Sequence, residues 1–289
     1  MFWNMLRASE EYTCYCEPCH EHLLDHVSKP PGPVDPTHTG VADYWREYRE
    51  LPLEELREVW RPWFGRERFS LESGDNAADF ARFLRYLIDS APRTPVLKLV
   101  RFDFRVQWLR KVFPRATIIH VVRNPRSLWT SSVGRGSRRD DHEPEPHARW
   151  GRFVAYTEAI ARDLGIAVAG HPYRSFYAVW RLSCESIGAE ADAVWRYEDA
   201  VSDFSGWAGR HLVEIGLLPA VPTVVVRTDS LGFEFHSADW YAAQEREVER
   251  LLSEPSGIGP GFSPDGRLST ESEDLGEAAP ILDMRLQWS

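Results

Sequence analysis

Two residues eight apart carry the clearest chemistry in this chain, Arg123 and Ser131. The run 117–122, TIIHVV, is apolar enough for a strand covered on both faces, and it delivers Arg123 to its carboxyl end. Residues 123–126, RNPR, make a turn. Ser127 then opens a helix whose free N–H groups and dipole favour an anion. Ser131 falls on the second turn of that helix, where its hydroxyl can face back toward the strand end. A guanidinium fork beside a hydroxyl clamps phosphate through bidentate, charge-assisted bonds. The competing reading pairs Arg123 with a carboxylate at the sheet edge and leaves Ser131 as a surface residue.

A second grouping lies near the start. Cys14, Cys16, Cys19 and His20 read C-x-C-x-x-C-H, and His22 and His26 follow at i, i+4 spacing. These are enough soft ligands for zinc. On a strand, however, Cys14 and Cys16 share a face, and no second ligand pair follows at zinc-ribbon distance. Buried free cysteine is ordinary packing, so no metal is expected. Residues 257–261, GIGPG, lack the strand and helix of a dinucleotide fingerprint, and a GxxxxGK[ST] phosphate loop occurs nowhere. Trp129, Trp150, Trp180, Trp195 and Trp240 are expected in the core or on cleft walls rather than as a sugar platform.

Composition bounds the function classes. With 12 Trp, 14 Phe and 10 Tyr in 289 residues, disorder, collagen and coiled coil are excluded. No apolar run reaches the roughly 20 residues of a membrane span, and the first residues turn polar too soon for a secretory signal. Four cysteines make no disulfide scaffold, so a reduced, cytoplasmic protein is expected. The net charge of −10 argues against nucleic-acid binding. Residues 98–139 nevertheless hold 11 basic residues against one acidic residue, Asp103. A basic segment inside an acidic chain implies a site for a small anion, or else a solvated arginine-rich face.

The elements that must position these groups alternate. Strands are predicted at 12–16, 96–100, 117–122 and 193–197. Helices are predicted near 2–8, 41–49, 53–61, after 75, at 106–113 and from 127, then near 147–163, 173–187, 205–215 and 237–252. The helix after 75 is the clearest, because Phe80, Phe83, Leu84, Leu87 and Ile88 keep the spacing of one buried stripe. Strands alternating with helices imply an α/β protein, a parallel sheet flanked by helices, with ligands at the carboxyl ends of its strands. No linker separates two domains, and 253–289 reads as an irregular tail.

Residues 113–132, FPRATIIHVVRNPRSLWTSS, resemble the 3′-phosphate motif of the PAPS-dependent sulfotransferases. In that family a strand runs into Arg, then Asn or Asp with Pro, then a helix bearing a Ser eight positions on. Arg123 and Ser131 match. Residues 195–201, WRYEDAV, are similar to the family's Tyr-Glu-Asp-Leu stretch, whose Tyr reaches the adenine, so Tyr197 takes that position and Ala200 replaces Leu. The resemblance covers most of the chain. It implies a P-loop NTPase-like sulfotransferase fold and transfer of a sulfonate from PAPS (3′-phosphoadenylyl sulfate) to a hydroxyl or amine by in-line displacement. It also implies that no metal takes part, and the Glu-Pro resemblance below points to a glycan or small-metabolite acceptor.

A weaker resemblance assigns the catalytic groups. Residues 15–18, YCEP, resemble the Phe-Glu-Pro stretch of carbohydrate sulfotransferases, which makes Glu17 a candidate general base, or else a brace for the sheet end. Lys98 matches a family lysine near the transferring group, and His20 is the reserve base. Cytosolic relatives place a catalytic His where this chain has Val100, which favours Glu17. The family's opening strand and its 5′-phosphosulfate loop have no counterpart. The expectation is therefore an N-terminally truncated form, from a misassigned start or a truncated copy. The alternative function is a non-catalytic protein keeping only the 3′-phosphate half-site. The C-terminal Arg-Lys-Gly clamp is not evident beside residues 238–240, ADW. Acceptor choice is expected to rest on loops near 28–40, 64–75 and 134–150.

Overall fold

The computed structural model describes residues 2–32, 34, 41–65, 68–100, 102–134, 151–222 and 235–254. In chain order they form α1 (Phe2–Ala8), β1 (Tyr12–Cys16), α2 (Leu23–Ser28), α3 (Arg46–Arg49), α4 (Leu53–Val59), α5 (Ala78–Asp89), β2 (Thr94–Lys98) and α6 (Val106–Val112). There follow β3 (Ile119–Val122), α7 (Pro125–Gly134), α8 (Gly151–Asp163), α9 (Pro172–Glu190), β4 (Ala193–Arg196), α10 (Tyr197–Ser202), α11 (Phe204–Ala208) and α12 (Ala238–Ser253), with a π-helix at Gly209–Val213. The chain is thus a mixed α/β protein with small parallel sheets flanked by helices. No described helix is long and apolar enough to cross a membrane.

The described strands pair in two parallel two-stranded sheets rather than in the single sheet expected. β1 pairs with β2, Cys16 opposite Lys98, and β3 pairs with β4, Val122 opposite Arg196. A parallel pair needs a crossover, and helices intervene between the strands of each pair. The residues fall into two compact units. The first runs to Ala116 and resumes at Asp199, and the second spans Thr117–Glu198 and takes in the described residues 235–254.

In the first unit β1 is the buried strand, with Cys14 and Tyr15 wholly inaccessible. The apolar stripe of α5 buries Phe80, Phe83, Leu84 and Leu87 as its spacing predicts, and Phe80 stacks on Trp108 of α6 at 5.4 Å. Arg7 and Glu47 form a buried ion pair between α1 and α3, at 2.6 Å. In the second unit Trp129 of α7 is enclosed by Phe176 and Tyr173 of α9 at 5.4 and 5.5 Å. Tyr241 and Val248 turn the inner face of α12 inward.

Four local expectations change. β3 is half-buried rather than covered on both faces, with Val121 43% exposed, because it has one strand neighbour among the described residues. α7 starts at Pro125, since Asn124 Oδ1 accepts the Arg126 and Ser127 amides and proline suits the first helical position. The helix near 41–49 shrinks to α3. That near 205–215 divides into α11 and the π-helix, which ends at Val213, with Gly216 in the left-handed region of the turn beyond. Residues 255–289, and so nearly all of the expected tail, lie outside the described residues, as do Trp150 and the loop 135–150.

Candidate functional site

The four described strands end at residues singled out by the sequence. Glu17 follows β1, Lys98 closes β2, Arg123 follows β3 and Tyr197 follows β4. Side chains at the carboxyl ends of parallel strands face the crevice where ligands of open α/β sheets bind.

In the first unit the β1–β2 ladder brings Glu17 and Lys98 together. The Glu17 N–H donates to the Lys98 carbonyl at 3.0 Å, and Lys98 Nζ lies 3.2 Å from Glu17 Oε1. Glu17 has φ 45°, a left-handed conformation that costs a residue with a Cβ about 1–2 kcal/mol. The strand end therefore holds Glu17 in a turn it would not choose, with His20 N–H closing on the Glu17 carbonyl at 2.9 Å. Burial by itself would lower the Lys98 ammonium. The neighbouring Cys16 and Glu17 outweigh burial and raise it above the usual lysine value, so it is a fixed cation. Lys98 Nζ also points at Cys16 Sγ, 3.9 Å away, but burial pushes that thiol up to about 12, so it is no nucleophile near neutrality.

His20 is buried and its Nδ1 accepts the His22 amide at 3.1 Å. Its ring sits 5.0 Å from His26 and 5.3 Å from Trp45. Among the described residues no three His, Cys, Asp or Glu side chains are grouped to hold a metal ion. A cavity of about 310 Å³ is lined by Trp63, Phe64, Leu71, Phe80 and Arg105. It borders the loop expected to shape acceptor choice.

In the second unit the β3–β4 ladder brings Arg123 and Tyr197 together. The Arg123 guanidinium lies over the Tyr197 ring at 4.9 Å, and its Nε–H donates to Ser127 Oγ at 3.1 Å. No described carboxylate pairs with it, which disfavours the sheet-edge reading. The backbone around it is pinned: Trp180 Nε1–H donates to the Arg123 carbonyl at 3.1 Å, and the Asn124 N–H donates to Glu198 Oε1 at 2.9 Å. Arg126 forks onto Glu245 of α12, Nε–Oε1 2.8 Å and Nη2–Oε2 2.6 Å, and Tyr173 Oη donates to Glu245 Oε1 at 2.7 Å.

Ser131 stands half-buried on α7, four residues beyond Ser127 and on the same helical face. The serine in contact with Arg123 is thus Ser127, which sequence reasoning passed over. The signal was present: Asn-Pro is a helix start, and it places Ser127 in the first turn. The partners of Glu198, Trp180 and Glu245 were not foreseen, because they are 57 to 119 residues away.

Fold and site together define an α/β protein with a cation-on-aromatic pair and an acid–amine pair at strand ends. Compared with protein-family models, curated proteins and solved structures, the chain has no match.

Proposed function

We propose that this chain is a PAPS-dependent sulfotransferase acting on a hydroxyl or amine of a glycan or small metabolite. The observation that carries the reading is the Arg123 guanidinium, without a described carboxylate partner, lying on Tyr197 beside Ser127 at the ends of β3 and β4. A cation, a hydroxyl and an aromatic face are a donor set suited to a phosphorylated nucleoside. Arg123 with Ser127 and Ser131 would hold the 3′-phosphate, and Tyr197 would stack the adenine. The donor supplies the sulfonate, which passes from its phosphate oxygen to the acceptor in one in-line displacement. Glu17 would take the acceptor's proton, and Lys98 would balance negative charge at the reacting group. Glu17 is suited to this because its backbone is fixed and its carboxylate is held by a single ammonium.

The test is thermal stabilisation by adenosine 3′,5′-bisphosphate, on the wild type and on Arg123→Ala. At about 100 times its dissociation constant a ligand adds roughly 2.7 kcal/mol to the folded state. The expected result is an upward shift in the wild type that vanishes in the variant. A cooperatively melting wild type with no shift would overturn the reading.

A further inference from the structure

Resting on that nucleotide reading, we propose that Glu198 is a positioning residue that sets the spacing between the phosphate-binding Arg123 and the base-binding Tyr197. β3 and β4 run parallel with Val122 opposite Arg196, so Arg123 and Tyr197 leave the ladder at the same step. One residue further on each chain, the Asn124 N–H donates to Glu198 Oε1 at 2.9 Å. This bond joins the neighbours of the two ligand-binding residues, and so ties the turn to α10 beyond the ladder's end.

The Asn124 amide has no acceptor of its own helix to replace Glu198. Asn124 caps α7, so its N–H has no intrahelical acceptor, and its Oδ1 is already engaged by the Arg126 and Ser127 amides. Without Glu198 the turn keeps the Trp180 bond to the Arg123 carbonyl and the Arg126 fork to Glu245. Both hold it to helices other than the one that begins at Tyr197. The 4.9 Å stacking of Arg123 on Tyr197 would then lack its fixed spacing.

The charge of Glu198 works against a phosphate bound at its neighbour, whereas its oxygen as an acceptor works for the geometry. The two effects separate by substitution. Glu198→Gln keeps an acceptor oxygen at the same reach and removes the charge, and Glu198→Ala removes both. Calorimetric titration with adenosine 3′,5′-bisphosphate should show Glu198→Gln binding at least as tightly as wild type. Glu198→Ala should bind about tenfold more weakly, the scale of one charge-assisted hydrogen bond. Repulsion alone would tighten both variants.

A second readout needs no ligand. The Asn124 amide proton should resonate downfield in wild type and in Glu198→Gln, as a hydrogen-bonded amide does, and move upfield in Glu198→Ala. Equal affinity of wild type and Glu198→Ala, or an Asn124 resonance that does not move in Glu198→Ala, would overturn the positioning role. A wild type that binds no nucleotide while its Asn124 resonance moves upfield in Glu198→Ala would instead overturn the nucleotide reading, and with it this role, leaving the bond itself intact.

Discussion

Removing Glu245 should loosen the support of the Arg123 turn, by an amount that can be worked out from its contacts. Its carboxylate receives both prongs of Arg126 at 2.8 and 2.6 Å and the Tyr173 hydroxyl at 2.7 Å. Tyr173 is wholly buried, so Glu245→Ala leaves a hydroxyl without its charged acceptor, a loss of about 1.5–3 kcal/mol. Arg126 is 35% exposed and its ion pair is partly screened, which adds no more than about 1 kcal/mol. The expected total is about 3 kcal/mol, read by urea unfolding monitored through tryptophan fluorescence. Glu245→Gln keeps an acceptor for Tyr173 and should lose about half as much. Arg126→Ala and Tyr173→Phe should couple in a double-mutant cycle, because they share one carboxylate. Acid provides an independent arm. Burial pushes the Glu245 carboxyl up, but the Arg126 fork and the Tyr173 hydroxyl outweigh burial and hold it below the usual 4.5. The folded state therefore binds fewer protons there than the unfolded chain. The contribution is present above about 4.5 and is lost as pH falls through the folded value, and Glu245→Gln should flatten that limb. A Glu245→Ala midpoint within about 0.5 kcal/mol of wild type would refute the claim that α12 pins the turn.

Four further outcomes are expected. Glu17→Gln should lower sulfonate transfer roughly 100- to 10,000-fold while nucleotide binding stays unchanged, and undiminished turnover would remove Glu17 as the base. Burial, with His22 next, holds His26 below the usual 6.5, and burial does the same for His120. Both contribute stability above about 6.5 that is lost as pH falls, so the urea midpoint should drop between pH 7.5 and 5.5, and less so in His26→Gln. Burial pushes Cys14 and Cys16 up to about 12, so in the native protein a thiol reagent should modify the half-buried Cys184 first, and the β1 thiols only on unfolding. Glu10 sits at φ 60° just after α1, so Glu10→Gly should stabilise the chain by about 1 kcal/mol, seen as a higher melting temperature.

What the sequence determined by itself is the set of strand ends and the chemistry placed there. Apolar runs bounded by turn residues mark β1 to β4, so Arg123 is legible as a residue delivered to a carboxyl edge. Glu17, Lys98 and Tyr197 were singled out by resemblance, and Lys98 came to a strand end only because β2, expected at 96–100, runs Thr94–Lys98. The stripe of α5 is legible for the same reason: a period of 3.6 is local information. α7 starts two residues before the expected Ser127, and the serine that meets Arg123 is Ser127, in its first turn, rather than Ser131. Only the tertiary structure decided the partners. Glu198 reaches Asn124 across 74 positions, and Glu245 reaches Arg126 across 119. It also decided that the described strands pair two by two, that β1 rather than β3 is the enclosed strand, and that Glu17 sits in a left-handed turn. Periodicity and spacing record which side of an element seeks apolar cover. They carry no record of which distant carboxylate meets which amide, because packing makes that choice once the elements have formed.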